Sequence, residues 1–387
     1  MDVSRFGEDS PGRLVKTAAP MQDHAFVPNG LPPDWELPQH LVSLLVEARA
    51  RLGTLNGIGQ TLPVPHLLLR PLQNREALTS SSLEGTHVTP RQLLLYAMNP
   101  REPHSVDERM SADKEVHNYS RALQHGCELL RELPLCLRVI REMHGILMDG
   151  VRGRKQTPGD FRTWQVQIGS TARFVPPPHT EIDNLMQNLE RYFNDPDDPL
   201  DPLVRCYIAH YQFEAIHPFG DGNGRVGRLL LALMIHLCLD HSLPWLYMSA
   251  YYERFKDEYV EGLFNVSAQA DWDTWIEFCL RGTVAQCNDA IKRCNAFHAT
   301  QRDFHDRAAK SASPRTHQII DDLLASPIVN IPKLADRYSI TYHTARADVK
   351  RLLELGILTE LEGIHPRTFV APELMRIAFQ DDHFTGD

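Results

Sequence analysis

His217-Pro218-Phe219-Gly220-Asp221-Gly222-Asn223-Gly224-Arg225-Val226-Gly227-Arg228 lies between two apolar runs of helical periodicity, 200–216 and 224–239. Glycines at 220, 222 and 224 free the backbone to turn its N–H groups inward. Gly224 leads into a helix whose N-terminus carries partial positive charge, and the two features together make an anion site suited to phosphates. Arg225 and Arg228 add two guanidinium forks for bidentate phosphate contacts. His217, at the end of the preceding helix, can take a proton from an attacking hydroxyl when its imidazole is neutral. Asp221 supplies a single carboxylate, which suits Mg²⁺ held otherwise by substrate phosphates and water. The Asn223 amide can donate to a non-bridging phosphate oxygen. A glycine-rich interhelical turn with a capping aspartate would explain the glycines, but not His, Asp, Asn and two Arg in this order. The parts add up to phosphoryl or nucleotidyl transfer by positioning and charge stabilisation. A P-loop is excluded for want of Gly-Lys-Ser/Thr after a strand.

Outward from this stretch the chain reads as mainly α. Apolar positions at i, i+3, i+4 and i+7 begin at Leu41, and a second helix over 67–84 stops at Gly85, a natural left-handed residue. Thr89-Pro90 opens a short helix, and longer helices are expected over 105–132, 135–148, 180–193, 253–269 and 272–294. Residues 1–35 carry Pro, Gly and polar residues without periodicity and read as a poorly ordered arm, or one packed locally on the body. The alternation Trp164-Gln165-Val166-Gln167-Ile168 predicts one strand of a small β-hairpin, which turns at 169–171 and returns through 171–174 before Pro176-Pro177-Pro178.

Residues 217–228 resemble the signature of the Fic family, His-Pro-Phe-x-x-Gly-Asn-Gly-Arg-x-x-Arg, with every fixed position filled and Asp at the metal-binding place. The resemblance implies a Fic-type helical core and transfer of AMP from ATP to a Tyr, Thr or Ser hydroxyl of a target protein, the chain itself included. In that reading His217 is the general base and Asp221 binds Mg²⁺ on the phosphates. Gly222, Asn223 and Gly224 hold those phosphates through their amides. Arg228 meets the γ-phosphate, and Arg225 supports the loop and phosphates.

A second stretch, Ser80-Ser81-Ser82-Leu83-Glu84-Gly85, is by itself a helix end with polar serines and a glycine stop. Beside the signature it is similar to the inhibitory motif of autoregulated Fic proteins, Ser/Thr-x-x-x-Glu-Gly/Asn, as Ser80, Glu84 and Gly85. Glu84 would pair with Arg228 and take the place of the γ-phosphate. Some relatives with this glutamate remove AMP instead, so a de-AMPylating enzyme stays open. The hairpin resembles the family's flap, on which Gln165, Val166, Gln167 and Ile168 would register a target segment by β-augmentation. Tyr251 and Tyr252 would either line the adenine pocket or fill the core.

Residues 314–376 read as helix, helix, turn, helix and two short strands (357–360 and 368–370), which looks like a winged helix-turn-helix. Tyr342, His343, Arg346 and Lys350 are its candidate major-groove contacts. The segment holds eight Lys/Arg and eight Asp/Glu, a weak footprint for DNA, so docking of a protein or a homodimer contact competes with DNA binding. The expected units are an N-terminal arm and helices carrying the inhibitory motif (1–110), the catalytic core (111–295), a helical linker (296–313) and the winged helix (314–378). A nucleotide-sensing regulator that binds DNA or protein is the alternative to an AMP transferase.

The 387 residues are 42% hydrophobic and 23% charged, with net charge −10 and a pI near 6.0. That balance is ordinary for a soluble globular protein and repels a phosphate backbone overall. Seven scattered cysteines without Cys-x-x-Cys argue for reduced thiols and against a zinc site. No apolar run is long enough for a bilayer, and the N-terminus lacks the apolar region of a secretion signal, so a cytoplasmic location without membrane contact is expected.

Overall fold

The computed structural model describes residues 1–17, 24–61, 65–100, 110–150, 157–169, 173–238, 243–309 and 313–380. Residues 105–109 of the expected helix start, 170–171 of the expected hairpin turn at 169–171, and 311–312 of the expected boundary at 311–314 lie outside the described residues.

The chain opens with an antiparallel pair, β1 (Gly12–Lys16) and β2 (His24–Pro28), in register from Gly12↔Pro28 to Lys16↔His24. This corrects the expectation of a poorly ordered arm. Ala25, Phe26 and Val27 are buried, and the Phe26 N–H donates to the Val175 carbonyl at 2.9 Å. The Phe26 ring lies 5.4 Å from Phe6 and 5.8 Å from Phe174, so apolar anchors hold a segment that local periodicity left unassigned.

Helices follow: α1 (Gln39–Thr61), α2 (Pro65–Leu83), α3 (Pro90–Met98), α4 (Met110–Leu129), α5 (Leu137–Leu147) and α6 (Ile182–Phe193). α3 starts at the expected Thr89, where a reciprocal capping box with Gln92 satisfies two otherwise orphan N–H groups. At the centre sit α7 (Pro202–Ile216) and α8 (Asn223–Cys238). Asp201 caps α7 by accepting from the Leu203 N–H, and Pro202 fits the first turn. Nearly every side chain of α7 is buried, as expected of a helix apolar on all faces. After α9 (Ser249–Arg254) and α10 (Lys256–Gln269), α11 runs unbroken from Trp272 to Ala308. The helix expected at 272–294 thus runs on into the helical linker expected at 296–313, because no Gly or Pro interrupts Cys294-Asn295-Ala296-Phe297.

The C-terminal elements are α12 (Pro314–Ala325), β3 (Ile328–Asn330), α13 (Ile331–Arg337), α14 (Tyr342–Glu354), β4 (Thr359–Leu361), β5 (Thr368–Val370) and α15 (Pro372–Phe379). The strands form an antiparallel sheet of order β3-β5-β4. Strand β4 starts at Thr359 rather than at the expected Ile357. The reason is a Schellman closure of α14, in which the Ile357 N–H donates to the Leu352 carbonyl at 3.0 Å while Gly356 takes φ +68°.

Two main apolar cores organise the described residues. The larger fills the space among α1, α4–α8, α10 and the first half of α11. The smaller unites the C-terminal elements with Phe297, Phe304 and Ala308 of α11 and with Leu67 and Leu68 of α2. Polar ties reinforce that junction. Asp289 of α11 accepts from Arg293 at 2.8 Å and pairs with Arg75 of α2 at 3.2 Å, while Arg293 also donates to the Ile377 carbonyl of α15 at 2.6 Å. Among the described residues no helix is long and apolar enough to cross a membrane.

Candidate active site

α7 ends at His217, which adopts the left-handed region at φ 51°, ψ 60° and closes the helix by donating its N–H to the Phe213 carbonyl at 3.0 Å. That conformation costs a non-glycine residue roughly 1–2 kcal/mol and persists only where surroundings enforce it. Arg162, 2% exposed, supplies the enforcement. Its guanidinium donates to the carbonyls of His217 (2.8 Å), Trp164 (2.9 Å) and Pro177 (2.6 Å). Burial lowers the Arg162 pKa to about 10, which still leaves it charged at neutral pH. The same burial, with help from the Arg162 charge, pulls His217 down to about 4, so its imidazole is neutral and able to accept a proton.

Asn223 pins the loop that follows. Its Oδ1 accepts from the Phe219 N–H at 2.8 Å and its Nδ2 donates to the Phe219 carbonyl at 2.9 Å. The side-chain amide thus spends its oxygen and one N–H on the loop, and the Asn223 backbone N–H lies in the first turn of α8. His144 of α5 braces the same loop, stacked on Phe219 with ring centroids 3.8 Å apart. Its Nδ1 accepts from the Gly159 N–H at 2.8 Å, so its Nε2 carries the proton and donates to the Asp221 carbonyl at 3.1 Å. The Asp221 side chain is exposed and accepts from the Gly222 N–H at 2.6 Å.

Arg225 points inward and pairs with Glu115 of α4, which also accepts from the Thr86 hydroxyl at 3.2 Å. Arg228, 3% exposed, meets the last turn of α2. Its Nε donates to the Ser80 hydroxyl at 2.8 Å, and one terminal nitrogen donates to the Ser80 carbonyl at 2.9 Å and to Glu84 Oε1 at 2.7 Å. Burial pushes the Glu84 carboxyl up, but Arg228 more than offsets this and holds it below the ordinary carboxylate range. Gly85 follows with φ +87°, and Lys256 of α10 donates to the Leu83 carbonyl at 2.7 Å. One turn before Ser80, the buried Glu76 accepts from the Tyr119 hydroxyl at 2.8 Å and from Ser249.

These groups border a cavity of about 430 Å³. Glu84, Glu214, His217 and Arg228 are among its lining residues, together with Ile168 and Phe174 of the expected hairpin and Tyr259 of α10. Tyr252 is fully buried against Tyr259, and Tyr251 packs on Phe255 and Phe278; both are core aromatics and neither lines the cavity. The flap is pared down among the described residues to one antiparallel bridge, Ile168↔Phe174. In the register of that bridge the return segment opposite 164–166 is Pro176-Pro177-Pro178, which has no N–H to give. Side chains donate instead: Gln165 to the Pro176 carbonyl at 2.8 Å, and Arg162 to Pro177. Sequence patterns missed Arg162, His144, Glu115 and Lys256, each of which acts across a long separation.

The sequence profile of the Fic/DOC family matches residues 134–235, and that of the Fic/DOC family N-terminal region matches residues 42–128. Over those two stretches the chain is similar to the Fic/DOC family. Among its relatives are proteins named protein adenylyltransferase Fic. That of Drosophila grimshawi is 32% identical over 136 residues, covering 34% of this chain and 26% of the relative. That of Drosophila melanogaster is 29% identical over 163 residues, covering 40% and 31%. The matches thus span under a third of those relatives' length. A Fic family protein from Desulfovibrio desulfuricans shares the fold at TM-score 0.55 and 20% identity, over 88% of this chain and 98% of that one. Fic-1 from C. elegans does so at TM-score 0.53 and 22% identity, over 65% and 74%. The Fic fold therefore extends over most of the chain, beyond the signature itself.

Proposed function

We propose that the chain is a protein adenylyltransferase that moves AMP from ATP to a Tyr, Thr or Ser hydroxyl of a target protein and rests in an inhibited state. The observation that carries this reading is the Glu84–Arg228 pair, 2.7 Å apart at the mouth of the anion site on α8. A carboxylate held there fills the place where a terminal phosphate would meet Arg228, and it must leave before ATP can align. The names of the Drosophila relatives agree with this activity.

In the released state His217 takes the proton of the acceptor hydroxyl. The new O–P bond forms at the α-phosphorus as the bond to pyrophosphate breaks, and the first-turn amides of α8 hold the charge that develops. Among the described residues no three His, Cys, Asp or Glu side chains are arranged to cage a metal. An exposed lone carboxylate beside the anion site fits Mg²⁺, which takes its remaining ligands from phosphates and water, and Asp221 would hold it there. When bound, the ion would neutralise phosphate charge. Residues 165–168 of the flap would register the target chain, with Trp164, 37% exposed, at its edge.

The outward face of α14 supports a docking role for the C-terminal unit. Tyr342, His343, Arg346 and Lys350 are all exposed, yet Lys350 is paired with Glu354 at 3.6 Å and the unit's charges balance. That favours a protein partner over duplex DNA. Incubation of wild type, Glu84→Gly and Glu84→Gly/His217→Ala with ATP and Mg²⁺, followed by intact-mass spectrometry, tests the main reading. An AMP-sized gain on the chain or an added target is expected for Glu84→Gly alone; equal labelling of wild type would remove the brake from the account.

A further inference from the structure

Two glycines on α8, one turn apart, are each covered by a carboxylate. A Cβ on Gly224 would collide with Glu84 Oε1, and a Cβ on Gly227 would collide with Glu214 Oε1. Both carboxyl groups act on Arg228, but only Glu84 pairs with it. Glu214 Oε1 is buried and has no hydrogen-bond partner among the described residues. Glu214 nevertheless borders the cavity that holds His217 and Arg228.

The groups that face Glu214 are Arg228 from α8, Glu84 from the end of α2, Tyr259 from α10 and His217 from the end of its own helix. Tyr259 is committed elsewhere, its hydroxyl lying 3.0 Å from Nε2 of the neutral His210. Burial raises the Glu214 carboxyl to about 7, with Arg228 opposing and the Glu84 charge adding to the rise. The group thus changes charge near neutral pH, in a place where the mechanism above gives it no task.

We propose that Glu214 binds the terminal phosphate of ATP as a protonated carboxyl, donating its O–H to a phosphate oxygen, so that ATP binding takes up a proton. This rests on the ATP-dependent reading above. A phosphate that replaces Glu84 at Arg228 brings at least equal negative charge to the same face of α8. An ionised Glu214 one turn away would repel it and compete for Arg228, whereas the protonated group supplies a donor that Arg228 cannot place there. A diphosphate, one phosphate shorter, engages Glu214 less.

The test is calorimetry of Mg-ATP and Mg-ADP binding to the Glu84→Gly chain in buffers of different ionisation enthalpy. Uptake of roughly one-half to one proton per ATP is expected, and the association constant should fall by up to about tenfold per pH unit across the titration. Glu84→Gly/Glu214→Gln keeps a donor but cannot ionise; it should bind ATP with no uptake and a flat profile. ADP should show little uptake in either form. Difference infrared spectroscopy of Glu84→Gly itself, where ATP should add a protonated-carboxyl band, gives the answer even if the double variant fails to fold. Equal uptake with Glu and Gln at 214, equal uptake for ATP and ADP, or no new carboxyl band overturns the role of Glu214 alone. Absence of ATP binding at every pH overturns the adenylyl-transfer reading and this role together.

Discussion

Glu84 Oε1 and the Arg228 guanidinium meet 2.7 Å apart against Gly224, joining the end of α2 to the first turns of α8 across 144 residues of sequence. Arg228 is deeply buried while Glu84 is 39% exposed in its side chain, so the pair is asymmetric: the arginine is fixed and the glutamate is the member free to leave.

Glu84→Gly should therefore lower stability only modestly, by about 1 kcal/mol, since its carboxylate is half in water and Ser80 still serves Arg228. Mg-ATP should raise the Tm of this variant more than that of wild type, because ATP no longer competes with an internal carboxylate. Thermal shift with and without Mg-ATP reads both effects; an equal ATP response in the two chains contradicts the competition.

His217→Ala should reduce transfer by about 10²–10⁴-fold, the usual range for a general base. Its pH profile is equally specific. With the imidazole held near 4 rather than at its ordinary 6.5, the unfolded chain binds the proton more readily, so His217 costs stability as pH falls from about 6.5 to about 4. For catalysis the base stays unprotonated down to about pH 4. Glu84 favours the imidazolium, so its removal lowers that value further. The His217-dependent acid limb in Glu84→Gly should then lie at or below pH 4, and a limb at pH 6 or above would contradict the assignment.

Arg162→Lys keeps a charge but cannot reach the carbonyls of His217, Trp164 and Pro177 together. A loss of about 3 kcal/mol is expected from the unsatisfied buried carbonyls. At a temperature where the variant is still folded, transfer by Glu84→Gly/Arg162→Lys should fall through kcat, because His217 loses its left-handed hold. Urea denaturation and steady-state kinetics measure the two separately.

Lys256→Met removes the donor that holds the Leu83 carbonyl next to Glu84. The ammonium is exposed, so the contact is worth on the order of 0.5–1 kcal/mol, and basal transfer should rise about two- to fivefold over wild type, well short of Glu84→Gly. Unchanged or reduced basal transfer in the mass-spectrometric assay would remove Lys256 from the hold on the brake.

The heart of the site was legible because its residues occupy twelve consecutive positions, and α7 and α8 on either side are strongly apolar. Ser80 and Glu84 were legible for a related reason, being one helical turn apart and followed by a glycine stop. The supports were not. Arg162 reaches His217 across 55 residues, His144 reaches Asp221 across 77, and Arg225 finds Glu115 across 110. An isolated Arg or His carries no periodicity that foretells such a partner. The β1–β2 pair escaped for a different reason: its burial comes from Phe6, Phe174 and Val175, contacts that exist only in three dimensions. The flap was overread because alternation at 164–168 suits a strand, while the prolines opposite cannot complete the ladder.

Helix α2 serves two masters in sequence order. Leu67 and Leu68 near its start are walled into the C-terminal core, and Ser80 at its far end holds Arg228. A chain cut before α12 would strip the cover from Leu67, Leu68, Phe297 and Phe304, loosening one end of the helix whose other end holds Arg228. Comparing full-length and shortened proteins would thus confound loss of the proposed docking unit with loss of the proposed inhibition. Point changes on the outward face of α14 avoid that confusion, since they leave the shared packing intact.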